Sequence, residues 1–218
     1  MRDEPILQLS EIFYSIQGES SFAGYPCLFF RFSGCNLRCS YCDAKYTYEE
    51  AAKPTTIAAL LSEAAKYPNA LVEITGGEPL LQEGVYPLME TLLASGRTVL
   101  LETNGSLSLK RVPPEVVKIV DLKCPDSGMA EKMELANLEL LAPHDELKFV
   151  LSSRSDYDWA KGMIGQHQLA EKAKLILSPV IGRLAPDQLA HWLMADALPA
   201  RLQLQLHTLL WPGIKRGV

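Results

Sequence analysis

The sequence of 218 residues predicts an α/β fold of the partial, open TIM-like barrel type, in which parallel strands are joined by crossover helices. Short apolar and β-branched runs alternate with segments of helical period. A complete eight-unit barrel usually needs about 250 residues, so a barrel of this kind would be incomplete in this chain. No linker rich in Pro, Ser or Gly interrupts the alternation. Residues 1–218 are therefore predicted to form a single domain.

Strands are predicted where β-branched and apolar residues cluster over five to eight positions. In chain order these segments are residues 11–17, 27–33, 71–75, 98–103, 116–123, 146–152, 174–180 and 201–207.

Helices are predicted where apolar residues recur every three or four positions, so that each helix buries one face on the sheet. They are a helix that starts at Ile57 behind the N-cap candidates Thr55 and Thr56, a second from Val85 to a stop at Gly96, a third over residues 156–168 and a fourth from Pro186 to Ala197.

The composition excludes several classes of protein. With 48% apolar and 22% charged residues, the chain has too much apolar material to be disordered. Lys and Arg number 21 against 26 Asp and Glu, for a net charge of -5, so nucleic acid is not an expected partner. No apolar run reaches the 18 or so residues of a membrane span, and no targeting segment is recognisable. We therefore expect a cytoplasmic protein that binds no membrane.

Three cysteines follow directly after the predicted strand 27–33, at Cys35, Cys39 and Cys42. This CxxxCxxC spacing brings three soft thiolates together in one short loop. Such a ligand set suits a 4Fe-4S cluster in which three irons are bound by cysteine and the fourth iron is open.

A structural zinc site is the alternative use of these thiolates. It normally needs four ligands, so Cys27, Cys124 or His207 would have to complete it. Neither of those cysteines has a second cysteine at knuckle spacing, and both are instead compatible with buried apolar positions. The spacing favours the iron-sulfur cluster and leaves a non-enzymatic zinc-binding module as the weaker alternative.

The cysteine loop, with Tyr41 before its last cysteine, combines with the sequence TGGEP at residues 75–79. This combination resembles the radical S-adenosylmethionine (SAM) superfamily. The resemblance implies that the open iron binds the amino and carboxylate groups of SAM and that Tyr41 lies near the adenine. It also implies that Gly76, Gly77 and Glu78 receive the SAM amino group, for which two glycines allow close backbone approach.

A narrower resemblance extends over nearly the whole chain, through EIFYSIQGES, FRFSGCNLRCSYCD, ITGGEPLLQ, LLETNGSL, DLKCP, DELKFV and LQLHTLLWPGIKRGV. Together these segments resemble the 7-carboxy-7-deazaguanine synthase family of queuosine biosynthesis. The resemblance implies a lyase that converts 6-carboxy-5,6,7,8-tetrahydropterin to 7-carboxy-7-deazaguanine. The 5′-deoxyadenosyl radical would abstract hydrogen, the ring would contract with loss of ammonia, and hydrogen would return to SAM. The implied partners are this pterin, an electron donor such as flavodoxin or ferredoxin, and a second copy in a homodimer.

Family residues that contact the substrate match positions at several predicted strand ends. They are Ile16, Gln17, Gly18, Arg31, Thr75, Gln205, His207 and the carboxylate of Val218. From the residues alone, other uses remain open. Arg31 would also suit a surface position on its strand, Thr75 a turn cap, and His207 a strand-end histidine.

Further SAM contacts are implied in the segments after two later strands. Glu102 and Asn104 would hold the ribose hydroxyls, although the Asn-Gly dipeptide is also an ordinary turn. Lys123 stands where the family has a lysine near SAM. The preceding Asp121 and Leu122 depart from the Ser-Pro that many members have, so the match at Lys123 is incomplete.

The sequence departs from the family at Ala44, where many members have a Thr or Ser that ligates Mg²⁺. A methyl group cannot coordinate this oxygen-seeking cation. Either substrate and water hold Mg²⁺ with help from Thr47 or Asp43, or a protein cation such as Lys45 replaces its charge. The requirement for Mg²⁺ is therefore left open.

A radical SAM activating enzyme that acts on a partner protein is the main alternative within the superfamily. It would share the cysteine loop and the GGEP turn. It would have no need of the QGE sequence at the first strand end or of the KRGV tail.

Overall fold

The computed structural model describes residues 5–218, which build one nine-stranded sheet. Its order is β3-β1-β2-β4-β5-β6-β7-β8-β9. The strands are β1 (Leu7–Ile16), β2 (Pro26–Phe32), β3 (Lys53–Thr55), β4 (Leu71–Gly76), β5 (Val99–Thr103), β6 (Val117–Asp121), β7 (Glu146–Leu151), β8 (Lys174–Pro179) and β9 (Arg201–Leu202).

Helices cover the connections between several of these strands. They are α1 (Tyr46–Glu49), α2 (Ile57–Ala65), α3 (Val85–Ala94), α4 (Arg154–Gln166), α5 (Pro186–Asp196) and α6 (Leu206–Leu210). Short 3-10 turns span Pro79–Leu81, Pro125–Ser127, Ala130–Lys132, Leu135–Glu139 and Leu169–Glu171.

The helix boundaries follow the signals in the sequence. The Thr56 side chain accepts a hydrogen bond from the backbone N–H of Ala59 at 3.1 Å, which makes it the N-cap of α2. Gly96 has φ +77° just after α3, a left-handed conformation that glycine adopts without strain. The predicted start of α2 and the predicted start and stop of α3 are thus confirmed to within two residues.

From β2 onward, neighbouring strands in the sheet run parallel, as predicted. The exception is β1, which runs antiparallel to both of its neighbours, β2 and β3. A sheet that is parallel except at one edge is common in α/β folds. The sheet stays open because β3 and β9 lie at its two edges.

Both faces of the central strands are largely buried. Along β2, Phe30 and Phe32 are fully enclosed, and Phe149 on β7 is equally buried. Such strands read as continuous apolar runs because helices or loops cover the sheet on each side. Charged residues within these strands are therefore exceptions. Those that line the site described below are Arg31, Glu73, Glu102, Asp121 and Lys148.

The prediction of a strand over residues 201–207 is wrong beyond its first two residues. Only Arg201–Leu202 pairs with β8, and residues 206–210 form α6. The backbone N–H of Leu206 donates to the carbonyl of Gly18 at 2.8 Å, so the chain leaves the sheet and crosses to the end of β1. The alternation of Leu and Gln in this segment reflects this crossing and not a strand.

The loops that contain the predicted site residues meet on the side of the sheet where the parallel strands have their carboxyl ends. Parallel strands place their carboxyl ends together. The cysteine loop follows β2, the glycine turn ends β4, the TNG sequence ends β5 and Lys123 follows β6. Among residues 5–218, none of the helices combines the length and hydropathy that crossing a membrane requires.

Candidate active site

A cavity of about 710 Å³ opens at the carboxyl ends of the parallel strands. All but one of the site residues predicted from the sequence line it: Ile16, Gln17, Gly18, Arg31, Cys35, Cys39, Tyr41, Cys42, Thr75, Gly76, Gly77, Glu102, Asn104, Lys123, Gln205, His207 and Val218. The exception is Glu78. Segments far apart in sequence thus meet around one volume, which is large enough for two small organic molecules.

Three thiols, those of Cys35, Cys39 and Cys42, line one part of the cavity. All three are half-buried free cysteines, whereas Cys27 and Cys124 are fully buried and do not line the cavity. Burial raises the pKa of the Cys39 thiol, and the ammonium of Lys123 partly offsets that effect. Deprotonation of these thiols is therefore coupled to the arrival of a positively charged group.

The donor set fits an iron-sulfur cluster. In residues 5–218, no three ligating side chains surround a single metal-ion position. Each cysteine of a cluster binds a different iron, so a cluster needs thiols spread around a volume. Cys35, Cys39 and Cys42 meet that requirement, since they face one cavity from a loop of eight residues. We find the residues compatible with a 4Fe-4S cluster at this place.

The glycine turn lies against the cysteine loop with no room for a side chain. A Cβ at Gly77 would be 2.2 Å from the carbonyl oxygen of Gly34 and 2.7 Å from the Cβ of Cys35. The backbone N–H of Glu78 also donates to that Gly34 oxygen at 2.8 Å. Close backbone approach therefore sets the position of the first cysteine relative to β4.

Glu78 is fully buried and does not line the cavity, and its contact with SAM stays a prediction of the resemblance. Its carboxylate accepts hydrogen bonds from the Thr103 hydroxyl and from the backbone N–H groups of Leu80 and Asn104. Burial raises the pKa of Glu78 to about 7, although these donors stabilise its charge. Because Leu80 belongs to its own turn and Thr103 and Asn104 to the end of β5, the Glu78 side chain links the ends of β4 and β5.

Asn104 joins the end of β5 to the cysteine loop. Its Nδ2 donates to Asn36 Oδ1 at 3.1 Å and lies 3.8 Å from the Sγ of Cys35. Its Oδ1 accepts from the backbone and the hydroxyl of Ser106. The Asn104 side chain therefore stabilises its own turn through Ser106 and also contacts the cysteine loop, so the two predicted roles are compatible.

Lys148 forms the centre of a buried charge network that the sequence analysis did not include in the site. Its Nζ lies 2.7 Å from Glu19 and 2.6 Å from Glu102, with Asp121 at 3.7 Å. Burial lowers the pKa of Lys148, but these carboxylates outweigh burial and raise it. The signal that could have identified Lys148 is a lysine within the apolar run ELKFVL, since buried lysines need partners.

Two carboxylates that pair with Lys148 connect the charge network to predicted substrate contacts. The Thr75 hydroxyl donates to Glu102 at 2.9 Å, and the Gln205 amide donates to Glu19 at 2.9 Å. Lys148 and Arg31 hold the pKa of Glu102 well below its usual range, against the effect of burial. Glu102 therefore carries a full negative charge beside Thr75.

Glu73 adds a buried carboxyl to the same wall of the cavity. Its side chain accepts a hydrogen bond from the amide of Gln17. Burial, together with the negative charges of Glu102 and Glu19, raises the pKa of Glu73 well above its ordinary value. A carboxyl group that keeps its proton can donate as well as accept a hydrogen bond.

Arg31 lies in the cavity and not on the outer surface of its strand. Its Nε donates to Glu11 Oε1 at 2.9 Å, and the Tyr46 hydroxyl donates to the same oxygen at 2.9 Å. Only one edge of the guanidinium is used by these bonds. Within residues 5–218 no hydrogen bond occupies its terminal nitrogens, which could therefore bind an anionic ligand, as bidentate recognition of a carboxylate requires.

The end of β1 depends on a close contact with the tail. A Cβ at Gly18 would be 2.3 Å from Nδ1 of His207, so only glycine allows this imidazole to pack here.

Lys45 also lines the cavity, beside Ala44, and is largely exposed. The cation that the sequence analysis offered in place of Mg²⁺ is thus within the site.

Comparisons with known proteins assign a family. Residues 30–121 match the radical SAM superfamily. A 7-carboxy-7-deazaguanine synthase of Chlorobaculum tepidum is 46% identical over 221 residues, covering 100% of both chains. One of Koribacter versatilis is 45% identical over 226 residues, covering 97% of this chain and 100% of the relative.

Solved structures support the fold. The crystal structure of QueE from Escherichia coli superposes with a TM-score of 0.78 at 23% identity, covering 93% of this chain and 95% of the other. Streptococcus suis SuiB bound to its precursor peptide has a TM-score of 0.59 at 15% identity, covering 83% and 49%. The prediction of a partial, open barrel of the radical SAM type is confirmed.

Replacing single cysteines tests the ligand assignment. Cys39→Ala should abolish iron binding, because one of three thiolates is lost. Cys124→Ala should keep about four irons per chain after anaerobic reconstitution, because Cys124 is buried away from the cavity. Iron analysis and the brown absorbance of the cluster provide the measurement. Loss of iron from a Cys124→Ala protein with native circular dichroism would contradict the assignment.

Replacing Lys148 with Met should destabilise the protein by about 3–5 kcal/mol, because buried Lys148 is the counter-charge of the partly buried carboxylates of Glu19 and Glu102. Asp121 keeps its ion pair with Lys123. Urea unfolding at pH 8 measures the change. The matched control is Lys172→Met, which removes a surface ion pair with Glu139 and should cost less than about 1 kcal/mol.

The loss of stability in the Lys148→Met variant should depend on pH in a definite direction. In the native protein the depressed pKa of Glu102 contributes stability above its unfolded pKa, and this contribution is lost as the pH falls. Without Lys148, burial dominates and the carboxylates bind protons more readily in the folded state. The loss of stability should therefore shrink as the pH falls below the usual carboxyl pKa of 4.5 toward about 2, which is the window set by the shift at Glu102, and a loss that grows there would contradict the network.

Proposed function

Because the chain belongs to the 7-carboxy-7-deazaguanine synthase family of radical SAM enzymes, we propose that it converts 6-carboxy-5,6,7,8-tetrahydropterin to 7-carboxy-7-deazaguanine with release of ammonia. The observation that carries the proposal is the shared cavity. Cys35, Cys39 and Cys42 line it together with Arg31 and the QGE sequence after β1. One chain thus contains a cluster site and a polar site for an anionic ring.

Cys35, Cys39 and Cys42 would hold a 4Fe-4S cluster. With SAM bound to its open iron, the cluster supplies the 5′-deoxyadenosyl radical that starts the reaction. The chain's own part is to place both molecules and to exclude water. The backbone at Gly76 and Gly77 lies beside the cysteine loop, where the amino group of SAM would be received.

The SAM pocket continues past the cysteine loop. Tyr41 donates its hydroxyl hydrogen to the carbonyl of Val150 at 3.1 Å, which holds the ring at the cavity wall for contact with adenine. Glu102 and Asn104 stand at the end of β5 for the ribose hydroxyls. Lys123, held by Asp121 at 2.8 Å, supplies a fixed positive charge near the thiols.

The pterin would bind at the end of the cavity formed by β1, β2 and the tail. Arg31 is the partner for the substrate carboxylate, since its terminal nitrogens are unused by Glu11. The backbone at Ile16, Gln17 and Gly18 would bind the edge of the ring. Thr75, Gln205 and His207 would complete the pocket from the other strand ends, and Val218 would reach it with its carboxylate.

The proposal includes partners and location. Reduction of the cluster needs an external donor, such as flavodoxin or ferredoxin. For a homodimer, the exposed apolar side chains of Leu209, Leu210 and Ile214 offer a surface. Five free cysteines are compatible with the reducing cytoplasm, where we place the enzyme.

The direct test is anaerobic incubation of the reconstituted protein with SAM, dithionite and the pterin. We expect a product with the mass of 7-carboxy-7-deazaguanine and one equivalent of ammonia, both dependent on reductant. Reductive cleavage of SAM serves as the control for a functional cluster. Protein that cleaves SAM but forms no deazaguanine would contradict the proposed substrate and would favour an activating enzyme.

The dependence on Mg²⁺ should be weaker than in relatives with a hydroxyl at the position of Ala44. The substrate carboxylate needs a positive partner once water is excluded, and Arg31 and Lys45 both line the cavity. Initial rates after chelation and during Mg²⁺ titration measure this, with Ala44→Thr as the matched variant. Lys45→Ala should lower the Mg²⁺-free rate. A steep Mg²⁺ requirement that Ala44→Thr leaves unchanged would show that other groups bind the ion.

A further inference from the structure

The tail after α6 runs along the mouth of the cavity. Ile214, Lys215 and Val218 line the cavity, and Val218 also shares a smaller apolar recess with Ile16 at the end of β1. The tail therefore lies beside the residues proposed to bind the pterin edge. A segment in this position affects the site only if it is held in place, because free tails fray.

Backbone hydrogen bonds do not hold the last part of this tail. The backbone N–H of Ile214 donates to the carbonyl of Trp211 at 3.1 Å. Beyond it, the hydrogen bonds that residues 215–218 make to the rest of the described chain come from the Arg216 guanidinium. A single side chain thus carries the polar attachment of the segment.

Arg216 is attached in two ways. Its Nη1 donates to Glu50 Oε2 at 2.9 Å, and its Nη2 donates to Glu50 Oε1, so the pair is bidentate. The guanidinium also stacks on the ring of Tyr46, with 3.9 Å from Cζ to the ring centroid. Bidentate geometry and stacking together fix the orientation of a guanidinium better than either contact alone.

The residue after this attachment turns the chain. Gly217 has φ +71°, which brings the following Val218 to the recess beside Ile16. Tyr46, on which Arg216 stacks, donates its hydroxyl hydrogen to Glu11, the same carboxylate that holds Arg31. The tail and the proposed carboxylate partner therefore share one anchor.

We propose that Glu50 and Arg216 are positioning residues, which hold residues 214–218 as one wall of the pterin site. The identity of the ligand rests on the proposed function. The attachment itself does not, because it can be measured without turnover. Neither side chain lines the cavity, so their effect on the ligand is transmitted through the tail and through Tyr46.

The chain contains a matched control for this contact. Arg111 donates hydrogen bonds from both terminal nitrogens to Glu83, and its Cζ lies 4.0 Å from the ring centroid of Tyr86. None of these three residues lines the cavity. Glu83→Ala removes the same chemistry as Glu50→Ala at a distant surface. Because Glu50 is outside the tail, Glu50→Ala leaves the sequence of the tail unchanged.

The first measurement is the rate at which trypsin cleaves after Lys215 and Arg216, followed by mass spectrometry of the intact protein. An exposed ion pair and an exposed cation–π contact are each worth roughly a two- to fivefold change in an equilibrium constant. Glu50→Ala removes the ion pair and leaves the stacking on Tyr46. It should therefore speed this cleavage by about two- to fivefold, since cleavage tracks the population of the open tail. Added salt should reduce the difference from the native protein.

The second measurement is the separation of KM from kcat in the reconstituted enzyme. Glu50→Ala should raise KM for the pterin by up to about two- to fivefold and change kcat less than about twofold, with iron content and SAM affinity unaltered. Tail cleavage and KM should both stay at native values in Glu83→Ala.

Two results would overturn the proposal. If Glu50→Ala changes tail cleavage no more than Glu83→Ala does, the attachment does not hold the tail. If cleavage accelerates but KM for the pterin stays native, the tail is held there but is no wall of the pterin site. Should the native enzyme form no deazaguanine, the proposed substrate fails, and the cleavage rates still decide the attachment.

Discussion

The ammonium group of Lys148 is surrounded by the carboxylates of Glu19, Glu102 and Asp121 at the buried end of the cavity. Removing the ammonium would leave Glu19 and Glu102 without this ion pair in a partly buried site, which is costly, whereas Asp121 would keep Lys123. The network therefore ties together the end of β1, β5, β6 and β7. Since Glu102 also holds Thr75 and Glu19 holds Gln205, the shape of the proposed pterin site depends on this one lysine.

Much of the fold could be predicted from local patterns. Strands β2 and β4 to β8 have continuous apolar runs, and α2 and α3 have a clear helical period with recognisable ends. The direction of β1 could not be predicted, because an apolar run is the same in a parallel and an antiparallel pair. The sequence also did not predict that residues 203–210 leave the sheet and form α6. The hydrogen bond from Leu206 to Gly18 that directs this path joins segments that are distant in sequence.

The candidate site could likewise be predicted only in part from the sequence. Sequence motifs identified the thiols, the glycine turn and Arg31, and the structure brings all of them to one cavity. At Glu78 the motif did not reveal that the carboxylate accepts hydrogen bonds from the Thr103 hydroxyl and the backbone N–H of Asn104 at the end of the neighbouring strand. Lys148 and Glu73 were missed for another reason. Each is a single charge within an apolar strand, and only the arrangement of the strands shows which charges face one another.

The most direct measurement is an anaerobic crystal structure of the reconstituted protein with both SAM and the pterin. We expect SAM between the cysteine loop and Gly77, and the pterin between Gly18 and Arg31, with the Lys148 ion pairs intact and the tail closed over the ring. A pterin bound outside this cavity, or a cavity in which Lys148 has separated from Glu19 and Glu102, would contradict the account.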